Sequence, residues 1–137
     1  MSGTSFLLDS SFLIDYLTGS KSALEFVDRA TANEHQLAAS QITRIEILSW
    51  PSLDEAIESQ IKNFLLNIEI HPITDAVEKN TIALRRKKRL KLPDAIIAAT
   101  ALSFNCVLIT SDAKLLKAEI DGLTVENLIA PGEESPA

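Results

Sequence analysis

The chain has 137 residues, 46% of them apolar and only 5% aromatic, and carries a formal net charge of −6 at pH 7. That length suits one domain with a core of Leu, Ile, Val and Ala, and a single cysteine, Cys106, excludes an internal disulfide framework. The opening MSGTSF lacks the basic and long apolar regions of a signal peptide, and no apolar run reaches the roughly 18 residues of a membrane span, so a soluble cytoplasmic protein is expected.

Short apolar runs alternate with longer amphipathic ones. FLL (6–8) reads as a strand and SSFLIDYL (10–17) as a helix; SALEFVDRATA (22–32) is a second helix with Leu24, Val27 and Ala30 or Thr31 on one face. QLAAS (36–40) is a short strand. TRIEILSW (43–50) is a helix stopped by Pro51, and LDEAIESQIKNFLLN (53–67) sets Leu53, Ala56, Ile57, Ile61, Phe64 and Leu65 at helical spacing. IEIHPI (68–73) is a strand that Pro72 confines to a sheet edge. TDAVEKNTIALRRKKRL (74–90) is a helix with Thr74 as N-cap and basic residues in its last turns, both favourable to the helix dipole.

PDAIIAATALSF (93–104) opens with proline at the first helical position and is apolar nearly all round, hence a buried helix. CVLIT (106–110) is a central strand, SDAKLLKAEI (111–120) a helix and LTVENL (123–128) a last strand, with a loose tail over 131–137 after a domain covering 1–130. Strands alternating with helices predict a three-layer α/β/α fold around a central, mainly parallel sheet. In such sheets ligands bind at the carboxyl ends of the strands, where strand order reverses.

Four carboxylates fall at that edge. Asp9 follows the first strand, Glu46 lies early in the helix after LAAS, Asp94 sits in the first turn of the buried helix, and Asp112 follows CVLIT across Thr110 and Ser111. Each has an ordinary reading: Asp9 as an N-cap, Glu46 as the end of a T-x-x-E capping box begun by Thr43, Asp94 and Asp112 as acids at helix starts. All four arriving at one edge by coincidence is far less expected. Carboxylates crowded together repel unless something positive joins them. Hard oxygen donors without His or Cys suit one or two Mg²⁺ or Mn²⁺ ions, and such ions acidify water and stabilise phosphoryl charge. Hydroxyls of Ser10, Ser11, Thr110 and Ser111 stand where they would orient that water or a phosphate.

These segments resemble the PIN-domain nucleases, and most the small VapC-type toxins of prokaryotic toxin–antitoxin pairs. The resemblance runs in order through LLDSSFLID, ASQITRIEIL, LKLPDAIIAATAL, VLITSDAKL and GLTVENL, the third being the most distinctive. It implies a PIN-like fold, metal-binding acids at Asp9, Glu46, Asp94 and Asp112, and cleavage of RNA by water to a 5′-phosphate and a 3′-hydroxyl. It further implies a homodimer and a small antitoxin partner whose tail blocks the acidic site. Two departures stand out: Ser10-Ser11 replaces the Thr-Asn common after the first acid, and Leu115 and Leu116 stand where an aromatic often follows the fourth.

Arg85, Arg86, Lys87, Lys88, Arg89 and Lys91 hold six of the thirteen basic residues, just ahead of Asp94. They read either as a solvated helix end or as contacts to an RNA backbone, and Arg44 as a partner of an acid or of phosphate. Phe12, Tyr16 and Trp50 are expected in the core or an interface, His35 and His71 in structural roles, and Cys106 as an inert thiol. A rival of another class is a phosphate-accepting, receiver-like signalling module, or a PIN-like domain without turnover that serves only as a binding partner. The first of these normally places an acid pair after the first strand, whereas Asp9 is followed by Ser-Ser.

Overall fold

A computed structural model describes residues 4–51 and 53–127, so the expected loose tail and the end of the last predicted strand lie outside the described residues. The chain runs β1 (Ser5–Leu8), α1 (Ser10–Leu17), α2 (Lys21–Ala32), β2 (Gln36–Ser40), α3 (Gln41–Leu48) and α4 (Glu55–Leu66). It continues through β3 (Glu69–His71), α5 (Asp75–Lys88), α6 (Leu92–Ser103), β4 (Val107–Ile109), α7 (Ala113–Lys117) and β5 (Val125–Glu126). The five strands form one sheet in the order β3-β2-β1-β4-β5, and every pairing is parallel. As Pro72 implied, β3 is an edge strand.

Side chains alternate across the sheet with the strand period of two. Leu7, Ala38 and Leu108 face a core completed by Val77 and Leu84 of α5 and by Ala95, Ile97, Ala98 and Ala101 of α6. Leu8 and Ile109 face the opposite core, filled by Phe12, Phe26, Val27, Ile61 and Leu65 from α1, α2 and α4. Three layers result. The alanine-rich α6 has seven buried residues, and its small side chains let it lie close to both the sheet and α5. In α2 the inward face is Ala23, Phe26, Val27 and Ala30, while Leu24 is 41% exposed; the bulkier Phe26 takes the core position expected of Leu24.

Thr74 caps α5 as expected, its hydroxyl accepting from the Val77 N–H. The capping box at Thr43 does not form. Ser40 caps α3 instead, accepting from the Ile42 N–H at 3.2 Å, which starts the helix two residues before Thr43 and leaves Thr43 inside it. The Thr43 hydroxyl is fully buried with no hydrogen-bond partner among the described residues. Thr43→Val keeps the shape and removes that orphan, so it is expected to leave unfolding free energy unchanged or raise it by about 1 kcal/mol. A loss of similar size in denaturant unfolding would instead mean that the hydroxyl caps or binds something. No helix of the described residues is long and apolar enough to cross a membrane.

Candidate active site

In the strand order β3-β2-β1-β4-β5, the chain moves outward from β1 to β3 and then returns to the other side of β1 with β4. The reversal therefore falls between β1 and β4, whose carboxyl ends release Asp9 and, past Thr110 and Ser111, Asp112. The Asp9 N–H donates to the Ile109 carbonyl at 3.2 Å, holding the two strand exits together.

Asp9 is 3% exposed and caps α1. Its Oδ1 accepts from the Phe12 N–H at 2.9 Å and from the Ser11 hydroxyl at 2.8 Å, and its Oδ2 accepts from the Thr110 hydroxyl. Oδ1 has both lone pairs engaged, whereas Oδ2 keeps one. Burial pushes the Asp9 pKa up to about 6, against the lowering effect of Thr110, Phe12 and Ser11; the Asp112 charge adds a smaller upward push. A carboxylate raised mainly by burial favours association with a cation.

The remaining parts assemble around this group. The Ser11 hydroxyl accepts from the Ser111 N–H at 3.1 Å, and Thr110 Oγ1 accepts from the Asp112 N–H at 2.9 Å, so two hydroxyls tie α1 to the loop after β4. The Ser111 hydroxyl donates to Oδ2 of Asp15 at 3.2 Å. Asp112 caps α7 by accepting from the Lys114 N–H. Glu46, part-buried on α3, accepts from the Ser10 hydroxyl through Oε1 at 2.8 Å, which couples α3 to the start of α1. Asp94, in the first turn of α6, has its pKa raised by burial and then by the charges of Asp112 and Glu46, with Lys114 and Lys91 acting the other way.

Asp9 thus feels Asp112, and Asp94 feels Asp112 and Glu46: the four acids form one electrostatic set. Among the described residues no three acidic, His or Cys side chains stand close enough to make a metal cage outright. The set is all oxygen, which fits a hard divalent ion that retains water ligands and not zinc. Asp15 was not foreseen; its only local signal is an acid within the apolar FLIDYL, and its partner Ser111 is 96 residues away.

Of the basic residues, Lys91 reaches Asp94 electrostatically, and so does Lys114, which was also unforeseen. Arg85, Arg86, Lys87, Lys88 and Arg89 are exposed, and Arg44 lines a cleft with Leu48, Leu65 and Ile70. His71 stacks on Phe104 with centroids 3.9 Å apart, and His35 Nδ1 accepts from the Thr4 N–H, so both are structural. Cys106 is buried, and burial raises its pKa to about 11, the state of an unreactive thiol. Phe12 is in the core and Tyr16 packs on Phe64, while Trp50 is 39% exposed.

A family model described as PIN domain matches residues 6–120. Among solved structures, a toxin–antitoxin complex from Klebsiella pneumoniae is 33% identical, with 86% of this chain and 94% of that one covered and a TM-score of 0.72. VapBC2 from Rickettsia felis bound to a DNA fragment from their promoter is 22% identical over 90% of this chain and 98% of that one, at a TM-score of 0.79. VapBC-1 from nontypeable Haemophilus influenzae is 24% identical over 91% and 98%, at 0.74. A comparison with curated proteins found no match.

Proposed function

This chain belongs to the PIN-domain family, whose members are nucleases, and we propose that it is a Mg²⁺- or Mn²⁺-dependent endoribonuclease, the toxin of a toxin–antitoxin pair. The observation that carries the reading is the single electrostatic set formed by Asp9, Glu46, Asp94 and Asp112 beside the strand-order reversal. Asp9, Asp94 and Asp112 hold one or two ions, and Glu46 ligates a second ion or positions water. A divalent ion bound there supplies Lewis-acid stabilisation of phosphoryl charge and makes water more acidic.

The chain's own groups do the positioning. Ser11 and Thr110 fix the Asp9 carboxylate while leaving a lone pair on Oδ2. Ser10 engages Oε1 of Glu46, which leaves Oε2 to accept a hydrogen bond from the attacking water. Water adds to phosphorus as the bond to the 3′ oxygen breaks, giving a 5′-phosphate and a 3′-hydroxyl. Ser111 is held by Asp15 and Ser11, which steadies the loop carrying Asp112.

The antitoxin part is supported by the Klebsiella pneumoniae match, a toxin–antitoxin complex. Exposed Ile45, Leu66, Ile82 and Leu92 offer apolar surface that an antitoxin or a second copy in a homodimer would cover. The receiver-like alternative fits less well, because those domains order their strands 2-1-3-4-5.

Purified protein incubated with total RNA is expected to cut only when Mn²⁺ or Mg²⁺ is added and to leave 5′-phosphate ends. Cleavage that persists in EDTA, or products with 2′,3′-cyclic phosphates, would overturn the metal-dependent reading.

A further inference from the structure

The basic run does not act as one block. Where α5 ends, Arg89 adopts the left-handed conformation at φ 53° and ψ 34°, unfavourable for a residue with a side chain. The reversal sends Leu90 into the core, where it is 8% exposed, and sets Lys88, Arg89 and Lys91 along a cavity of about 520 Å³. Lys114 and Lys117, one helical turn apart on α7, line the same cavity, which Leu90 and Ala118 complete. Five of the chain's thirteen cationic residues therefore meet in one groove, with no acid among its lining. Arg85 and Arg86 are not part of it, and Lys87 lines a second cavity, which Lys88 also borders, with Asn80, Leu102 and Asp121.

The groove adjoins the acidic set: Lys91 is the N-cap residue of α6, whose first turn carries Asp94, and the Lys114 N–H donates to Asp112 Oδ1 at 2.8 Å. In a chain of net charge −6, a groove lined by cations and by no acid, next to a carboxylate cluster, is a place where a polyanion can approach that cluster. We propose that Lys88, Arg89, Lys91, Lys114 and Lys117 seat consecutive phosphates of a single-stranded RNA on one side of the scissile bond. This inference deepens the nuclease reading by saying where the substrate strand lies. The contacts are to the backbone and give affinity and register without base preference.

The test compares two double variants with the same loss of charge: Lys114→Gln with Lys117→Gln, and Arg85→Gln with Arg86→Gln. All four positions are exposed and helical, and glutamine is a good helix former. Binding of a short fluorescein-labelled single-stranded RNA is followed by anisotropy in EDTA, so that it does not depend on turnover. The groove variant is expected to bind about tenfold or more weakly and to lose about 1.4 from the slope of log affinity against log salt between about 50 and 200 mM. The Arg85/Arg86 variant is expected to match wild type. Equal losses in the two variants, or none in the groove variant, would overturn the assignment. Wild type that binds RNA through the groove but does not cut it with Mn²⁺ would overturn the nuclease reading and leave the groove standing.

Discussion

Asp9→Asn protein is expected to cleave RNA at least about 10³-fold more slowly than wild type, a loss of roughly 4 kcal/mol of transition-state stabilisation, and yet to be the more stable of the two in metal-free buffer. The activity loss follows from removing the charge of the most buried acid in the set, 3% exposed between the exits of β1 and β4. The stability gain follows from its titration. Folding raises the Asp9 pKa from 3.8 to about 6, so the native state binds the proton more tightly than the unfolded chain. Stability from this group is fully present below the unfolded value and is lost as pH rises through about 3.8 to 6, by about 3 kcal/mol in all. Asparagine keeps an acceptor for the Phe12 N–H and carries no charge, so the variant is expected to gain about 1–3 kcal/mol at neutral pH and to lack this acid-side rise. Urea unfolding in EDTA at pH 5 and pH 7.5 checks it. A variant less stable than wild type at both values would show that the capping and hydrogen-bond geometry of Asp9 outweighs the burial of its charge.

Thr110→Val is expected to have the next largest effect. The hydroxyl of Thr110, 1% exposed at the end of β4, donates to Asp9 Oδ2 and accepts from the Asp112 N–H. Valine fills the same space and makes neither bond, so the Asp112 N–H loses its acceptor and the Asp9 carboxylate loses one of its three donors. The expected cost is about 1–3 kcal/mol in unfolding free energy and about 10–100-fold in cleavage, the usual scale for a group that orients a metal ligand. Thr110→Ser restores the hydroxyl and is expected to recover most of the activity. If valine cuts as well as threonine, Thr110 is core packing and not a support for the site.

The alternation of strands and helices was legible because apolar period and local start and stop signals agree: Thr74 caps α5, and Pro72 ends β3 at the sheet edge. The positions of Asp9, Asp94 and Asp112 were legible for the same reason, since each lies at a strand exit or in the first turn or cap of a helix. Glu46 instead falls in the second turn of α3 and not early in the helix as expected. What local pattern did not carry were bonds between distant segments. T-R-I-E at 43–46 matches a capping box, yet Ser40 begins the helix earlier, and Glu46 turns instead to Ser10, 36 residues away. Asp15 looks like a stray acid in an apolar helix until β4 brings Ser111 against it. Lys114 and Lys117 read as an ordinary charged helix face, and only the left-handed turn at Arg89 and the burial of Leu90 place them beside the end of the basic run.

The proposed double role of Asp9, metal ligand as well as helix cap, is tested by a Mn²⁺ titration of unfolding free energy. A ligand that binds only the native state stabilises it by about 2.7 kcal/mol at a hundred times its dissociation constant. Wild type is expected to gain stability steadily as Mn²⁺ is added at neutral pH, while Asp9→Asn gains little or nothing over the same range. Equal gains in the two proteins would place the metal away from Asp9 and leave its carboxylate a helix cap alone.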